Sequence, residues 1–111
     1  ESQLRAALDI DEKYASAYTN LGRVLEATNR ADEAREAFLQ ATKLRTYPDP
    51  FLGIARVDLN QGRYDEALKS AETAFRLDPR KETLALIGEI HHLLGNVEEA
   101  LNCFERAGAS N

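Results

Sequence analysis

The sequence predicts an all-α fold, an α-solenoid of antiparallel helix hairpins, and three observations predict it. Ala, Leu, Glu, Arg and Lys dominate, and no run of alternating β-branched residues is long enough for a strand. The phrases Asn29-Arg30-Ala31-Asp32-Glu33-Ala34, Gly62-Arg63-Tyr64-Asp65-Glu66-Ala67 and Gly95-Asn96-Val97-Glu98-Glu99-Ala100 recur at an interval of 33 residues. Upstream of each, Leu21-Gly22-Arg23-Val24, Ile54-Ala55-Arg56-Val57 and Ile87-Gly88-Glu89-Ile90 keep the same offset. The chain has 111 residues, which is room for one small domain.

Each unit reads as two helices, expected at 17–28 and 31–45, 50–61 and 64–77, then 82–94 and 97–107. Asn29, Gly62 and Gly95 mark the turn inside each pair, because they tolerate the left-handed backbone that ends a helix. Asp32, Asp65 and Glu98 follow, where the dipole at a helix N-terminus favours acids. Pro48 and Pro79 cannot continue a helix and are expected to end the second helix of the first two pairs.

In this pattern the sequence resembles the tetratricopeptide repeat, whose signature is an aromatic, Leu-Gly, a bulky residue, then Ala, Phe and Pro. The first unit supplies Tyr18, Leu21, Gly22, Leu25, Ala34, Phe38 and Ala41. The second supplies Phe51, Ile54, Ala55, Ala67, Ala74 and Pro79, and the third Leu84, Ile87, Gly88, Ala100, Phe104 and Ala107. Ala7-Leu8-Asp9-Ile10-Asp11 resembles the tail of a preceding second helix. The expected organisation is one domain with a half repeat at 1–14 and repeats at about 15–47, 48–80 and 81–111, within a longer protein. Several residues depart from the pattern. The period is one short of the usual 34. Asp58 and His91 stand where a bulky apolar residue belongs, and Ala71 stands where Phe38 and Phe104 do. Gly53, inside a helix, costs about 1 kcal/mol relative to Ala, which marks that helix as the softest unless close packing compensates.

Tyr18, Leu21, Gly22 and Leu25 form a stripe at helical spacing that Phe51, Ile54 and Ala55 and then Leu84, Ile87 and Gly88 repeat. Small Gly22, Ala55 and Gly88 let the partner helix approach, so these positions read as packing. The resemblance implies that the other stripe of each first helix lines a concave groove that holds a protein or peptide partner. The residues expected to contact that partner are Thr19, Arg23, Leu52, Arg56, Leu59, Asn60, Glu89 and His92. Leu52 and Leu59, near Leu86 and Leu93, either form an apolar strip along the groove or rotate into the core. Arg23 and Arg56, one repeat apart, either clamp a carboxylate or flank an acidic peptide together, or each pairs with nearby Glu26 or Asp58 or stays solvated. Some relatives grip a partner's C-terminal carboxylates with Lys and Asn. The matching positions here hold Thr19, Arg23, Gly53, Glu82 and Leu86, of which one is basic, so that mode is disfavoured.

Enzyme chemistry is not expected. Adjacent His91 and His92 splay their rings about 100° apart on a helix and cannot share a metal from one face. Cys103 alone cannot form an internal disulfide or a structural zinc site. The pairs Asp65-Glu66 and Glu98-Glu99 read as helix starts, and no phosphate loop, dinucleotide glycine signature or nucleophile motif is present. Thus no catalytic residue, cofactor or metal is expected. Fourteen basic against nineteen acidic residues leave a net charge of −5, which disfavours nucleic acid and anionic membrane as partners. Self-association through uncapped solenoid ends, where Leu101 and its neighbours lack a packing partner, is a second expectation, and a regulatory part within a larger enzyme a third. Neither compartment nor partner can be read from the chain.

Overall fold

Three turns of one geometry divide the chain. Asn29, Gly62 and Gly95 take positive φ values of 64°, 80° and 86°. After each, the next amide reaches back five residues, from Arg30 to the Leu25 carbonyl, from Arg63 to Asp58 and from Asn96 to His91, each at 2.8 Å. This is the hydrogen-bond pattern that closes a helix on a left-handed residue. The computed structural model describes residues 2–109, and the side chains of residues 12–108. Its elements are α1 (Ser2–Ala27), α2 (Ala31–Leu44), α3 (Pro48–Asn60), α4 (Tyr64–Leu77), α5 (Lys81–Leu94) and α6 (Val97–Ala109). Helix α1 packs on α2, α3 on α4 and α5 on α6, and the hairpins are joined where α2 meets α3 and α4 meets α5. The result is an all-α solenoid of helix hairpins measuring 50 × 31 × 20 Å, with no strand among the described residues.

Two boundaries differ from expectation. The first helix begins at Ser2, not near residue 17, so the stretch expected as the tail of a preceding second helix runs unbroken into α1. No proline or glycine stands between residues 1 and 21 to interrupt it. Helix α3 begins at Pro48, where the fixed proline φ suits the first helical turn. Tyr47 before it is extended, as a residue preceding proline prefers. Pro48 therefore starts the next helix, and the preceding one has already stopped at Leu44.

Packing follows the small residues. Leu25, Ala34, Ala37, Phe38, Ile54 and Val57 make one core cluster, and Ala55, Ala67, Ala71, Leu84, Ile87, Ile90 and Cys103 make a second. The Phe38 ring is fully buried and lies between two glycines. A Cβ placed on Gly22 would sit 2.6 Å from Phe38 Cε1, and one on Gly53 would sit 2.4 Å from Phe38 Cζ. Gly53 is thus the consequence of Phe38 on the facing helix. One repeat later the sizes are exchanged: Ala71 replaces the Phe, and Leu86, in the place of Gly53, packs against the cluster that holds Ala71. Gly53 therefore has the close packing that the sequence reading names as its compensation.

Asp58 has a second explanation. It is fully buried in the position of a bulky apolar residue. Arg35 of α2 donates to it twice, from Nε to Oδ1 at 2.8 Å and from Nη2 to Oδ2 at 3.3 Å. Arg63 Nε lies 3.4 Å from the same Oδ1, and Arg63 Nη2 lies 3.8 Å from Asp32. The Asp58 hydrogen bond, together with the surrounding carboxylates, raises the Arg35 guanidinium above its ordinary value against the opposing effect of burial. A buried charge survives only with such partners. The first two repeats are therefore joined by an ionic lock beside an aromatic one.

Candidate protein-binding surface

The first helices α1, α3 and α5 carry the stripe that the resemblance implies for a partner. Across α1 and α3 it is laced by two ion pairs running in opposite directions. Arg23 of α1 reaches Asp49 of α3, Nη2 to Oδ2, at 3.4 Å, with both side chains well exposed. Arg56 of α3 returns to Glu26 of α1, donating from Nε to Oε2 at 3.0 Å and from Nη2 to Oε1 at 3.1 Å. The second pair is bidentate and partly buried, the geometry in which a guanidinium is most firmly held. Each arginine thus meets a carboxylate of the neighbouring helix.

The remaining positions separate by burial. The Thr19 side chain is buried; its hydroxyl donates to the Ala15 carbonyl at 2.9 Å and also meets the Tyr47 hydroxyl. Tyr47 Oη lies 3.3 Å from the same carbonyl and its ring carries the Arg45 guanidinium 4.7 Å from its centroid. Thr19 therefore anchors the loop between the first two repeats to α1. Leu59 and Leu86 pack against the second core cluster, so of the two alternatives for this strip these leucines take the core. Leu52 is half-buried, while Leu93, Asn60, Glu89 and His92 are exposed. Of the positions expected to meet a partner, those left at least partly exposed are Arg23 and Arg56, each in its ion pair, with Leu52, Asn60, Glu89 and His92, and Leu93 beside them.

Sequence reasoning missed Asp49 and Tyr47. Asp49 stands in the first turn of α3, where an acid reads as a helix start, and only the packing of α3 beside α1 brings it under Arg23. Tyr47 stands in a loop for which periodicity says nothing.

No group of three or more His, Cys, Asp or Glu side chains is arranged to hold a metal among the described residues. Burial pushes the Cys103 thiol above its ordinary value, which works against a reactive thiolate. His91 is half-buried with Nδ1 3.2 Å from Asn96 Nδ2, and His92 is exposed. A groove of about 400 Å³ lies between α4 and α6, lined by Leu84, Ile87, His91 and Cys103. A second groove is lined by Tyr18, Leu21, Leu25 and Ala37, the same four positions two repeats earlier. The recess thus occurs at equivalent positions of the first and third hairpins. No helix among the described residues is long and apolar enough to cross a membrane.

Known structures share this arrangement. The crystal structure of MamA superposes with a TM-score of 0.82 at 26% identity, over 85% of this chain and 56% of that one. PcrH, crystallised with the chaperone-binding region of PopB, does so with a TM-score of 0.82 at 25% identity, over 88% of this chain and 81% of that one. The second TPR of Spaghetti (RPAP3), bound to the HSP90 peptide SRMEEVD, has the same fold, with a TM-score of 0.92 at 20% identity over 100% of this chain and 97% of that one. Among sequences, subunit 7 of the anaphase-promoting complex of Arabidopsis thaliana is 27% identical over 108 residues, 96% of this chain. The chain spans 19% of that relative's length. Sequence models of the tetratricopeptide repeat match residues 52–111 and 15–46. With these matches, and with the helix pairs and the 33-residue period they follow, the chain belongs to the tetratricopeptide repeat family.

Proposed function

We propose that the chain is a non-catalytic protein-interaction scaffold whose first-helix wall takes a peptide segment of a partner protein. The observation that supports this most is the bidentate Arg56–Glu26 pair beside Arg23–Asp49. It fixes neighbouring first helices relative to each other, so a partner meets a surface whose ordering cost is already met. Likeness to PcrH, seen with a segment of PopB, supports the same reading. Arg23, Leu52, Arg56, Asn60, Glu89 and His92 are the contact positions, while Thr19 and Leu59 hold the wall from behind.

The pairing also narrows the partner. An incoming carboxylate competes with Asp49 for Arg23 and with Glu26 for Arg56, and Glu89 on α5 repels it. The wall therefore favours a neutral or mixed-charge segment with an apolar side chain for Leu52 and Leu93 over an acidic tail. The test is capture of partners from native extract with the wild-type chain and with a Leu52→Glu, His92→Glu variant of equal thermal stability. Loss of a specific partner with the variant supports the reading, and an unchanged set of partners overturns it.

A further inference from the structure

The recess bounded by α4, α5 and α6 lies apart from the first-helix wall and is lined by chemistry that the fold does not use. Its floor is Leu84 and Ile87 of α5 with Cys103 of α6, all buried, and half-buried Phe75 of α4. Arg76 stands in the last turn of α4 and Arg106 in the last turn of α6. Both helices are second helices and run in the same direction, so the two arginines border the same end of the recess. Arg76 Nη2 donates to Thr73 Oγ1 at 3.2 Å, and neither arginine forms an ion pair among the described residues. Arg23, Arg35, Arg56 and Arg63, by contrast, each meet a carboxylate of another helix.

The repeat supplies the recess but not the arginines. One repeat earlier Lys43 and Thr73 hold the places of Arg76 and Arg106, and in the first hairpin Gln40 holds that of Arg106. One repeat earlier, too, Leu39 stands where Glu72 does and packs against the core cluster that contains Ile54. Glu72 is exposed and leaves Ile87 without that cover. Nor is the recess a product of the solenoid's end, since all three of its walls are neighbours within the chain. In α6 the places of Glu72 and Phe75, which look toward a following second helix, are held by Glu105 and Gly108, and neither lines the recess.

We propose that this recess binds a small monocarboxylic acid, its apolar body on Phe75, Leu84 and Ile87 and its carboxylate between Arg76 and Arg106. The volume of about 400 Å³ is that of a small-molecule site. Two guanidinium groups beside an apolar floor match one carboxylate in charge and in hydrogen-bond geometry. The acids of the rim set the limit of one. Glu99, in the first turn of α6, lies seven residues from Arg106, about 10 Å along the helix, and repels a second carboxylate at the far end. Glu72, one turn before Arg76, opposes the bound carboxylate and weakens it.

The probe is 4-phenylbutyrate, set beside 4-phenylbutanol and 4-phenylbutylamine, which keep the apolar body and change the charge. Calorimetric titration into the full chain shows saturable binding of the acid, about fivefold tighter than the alcohol, and none of the amine. In isoleucine-methyl NMR the acid shifts the Ile87 signal and leaves that of Ile54, its equivalent one repeat earlier, in place. The Arg76→Gln, Arg106→Gln variant binds the acid no better than the alcohol, and Glu72→Gln tightens the acid about twofold. All three positions are exposed, and circular dichroism melting verifies that the variants remain folded. No saturation by the acid, equal binding of acid and alcohol to wild type, tighter binding of the amine, or an unmoved Ile87 signal overturns the proposal. So does indifference to the double variant, or a Glu72→Gln chain that binds the acid no more tightly. The Leu52→Glu, His92→Glu chain keeps the acid; its loss there would place the acid on the first-helix wall, defeating this proposal while leaving the peptide reading intact.

Discussion

The first and third repeats carry the same aromatic side chain in the same place with opposite fates. Phe38 is enclosed by Gly22 and Gly53, while Phe104 rests on Gly88 with 44% of its surface in water. The intrahairpin half of the environment is alike in both, and what encloses Phe38 is α3, which brings Gly53 onto its second face. In a stack of repeats, burial is a property of the neighbour as much as of the residue.

The sharpest way to break this comparison is to truncate both rings. Phe38→Ala leaves a hole between two helices that cannot close without moving α1 or α3, and should cost about 3–5 kcal/mol. Phe104→Ala removes a half-solvated ring and should cost about 1–2 kcal/mol, scaled by its exposure. Urea melts of the two variants measure the gap, and equal losses would contradict the enclosure described for Phe38.

Next in size is the ionic lock. Arg35→Ala leaves buried Asp58 with only the longer Arg63 contact and should cost about 3 kcal/mol. Leu101→Ala, at the equivalent position of α6, should cost under about 1 kcal/mol, since that side chain is mostly exposed. Thermal melting of the pair reads the contrast.

Gly53→Ala tests the sign of an effect. Helix propensity alone predicts a gain of about 1 kcal/mol, whereas overpacking of the added methyl against Phe38 costs about 1–3 kcal/mol. The expected outcome is net destabilisation, relieved when Phe38→Leu is added, with coupling in a double-mutant cycle. A stabilised single variant would return Gly53 to the role of a weak helix residue. The smallest expected effect is at Asn29, the one non-glycine of the three turns with positive φ. Asn29→Gly should raise stability by up to about 1 kcal/mol, as a small upward shift of the melting temperature, and a Gly95→Ala variant should move it downward.

Much of the fold was legible because helix periodicity and turn chemistry are local. Asn29, Gly62 and Gly95 each announced their turn, and the 33-residue interval tied the three hairpins together. The long first helix was less legible, since similarity to a second-helix tail says nothing of whether a break follows it. Along the candidate surface, periodicity brought Arg23, Arg56, Glu89 and His92 to one stripe, and the pairing of Arg56 with Glu26 was one of several alternatives open from sequence. Whether Leu59 faced the groove or the core, and that Thr19 points inward to Tyr47, depended on the rotation of each first helix within its hairpin.

The sequence by itself determined an all-helical chain, its hairpins and their stacking order, because these follow from residue spacing and from backbone preferences at a few turn positions. Only the tertiary structure decided why Gly53 belongs in a helix, why Asp58 is tolerated in the core, and that Leu59 and Leu86 pack inward. Those outcomes depend on the volume and charge of a residue some distance away in the chain, and size and charge complementarity across a helix interface has no local signature.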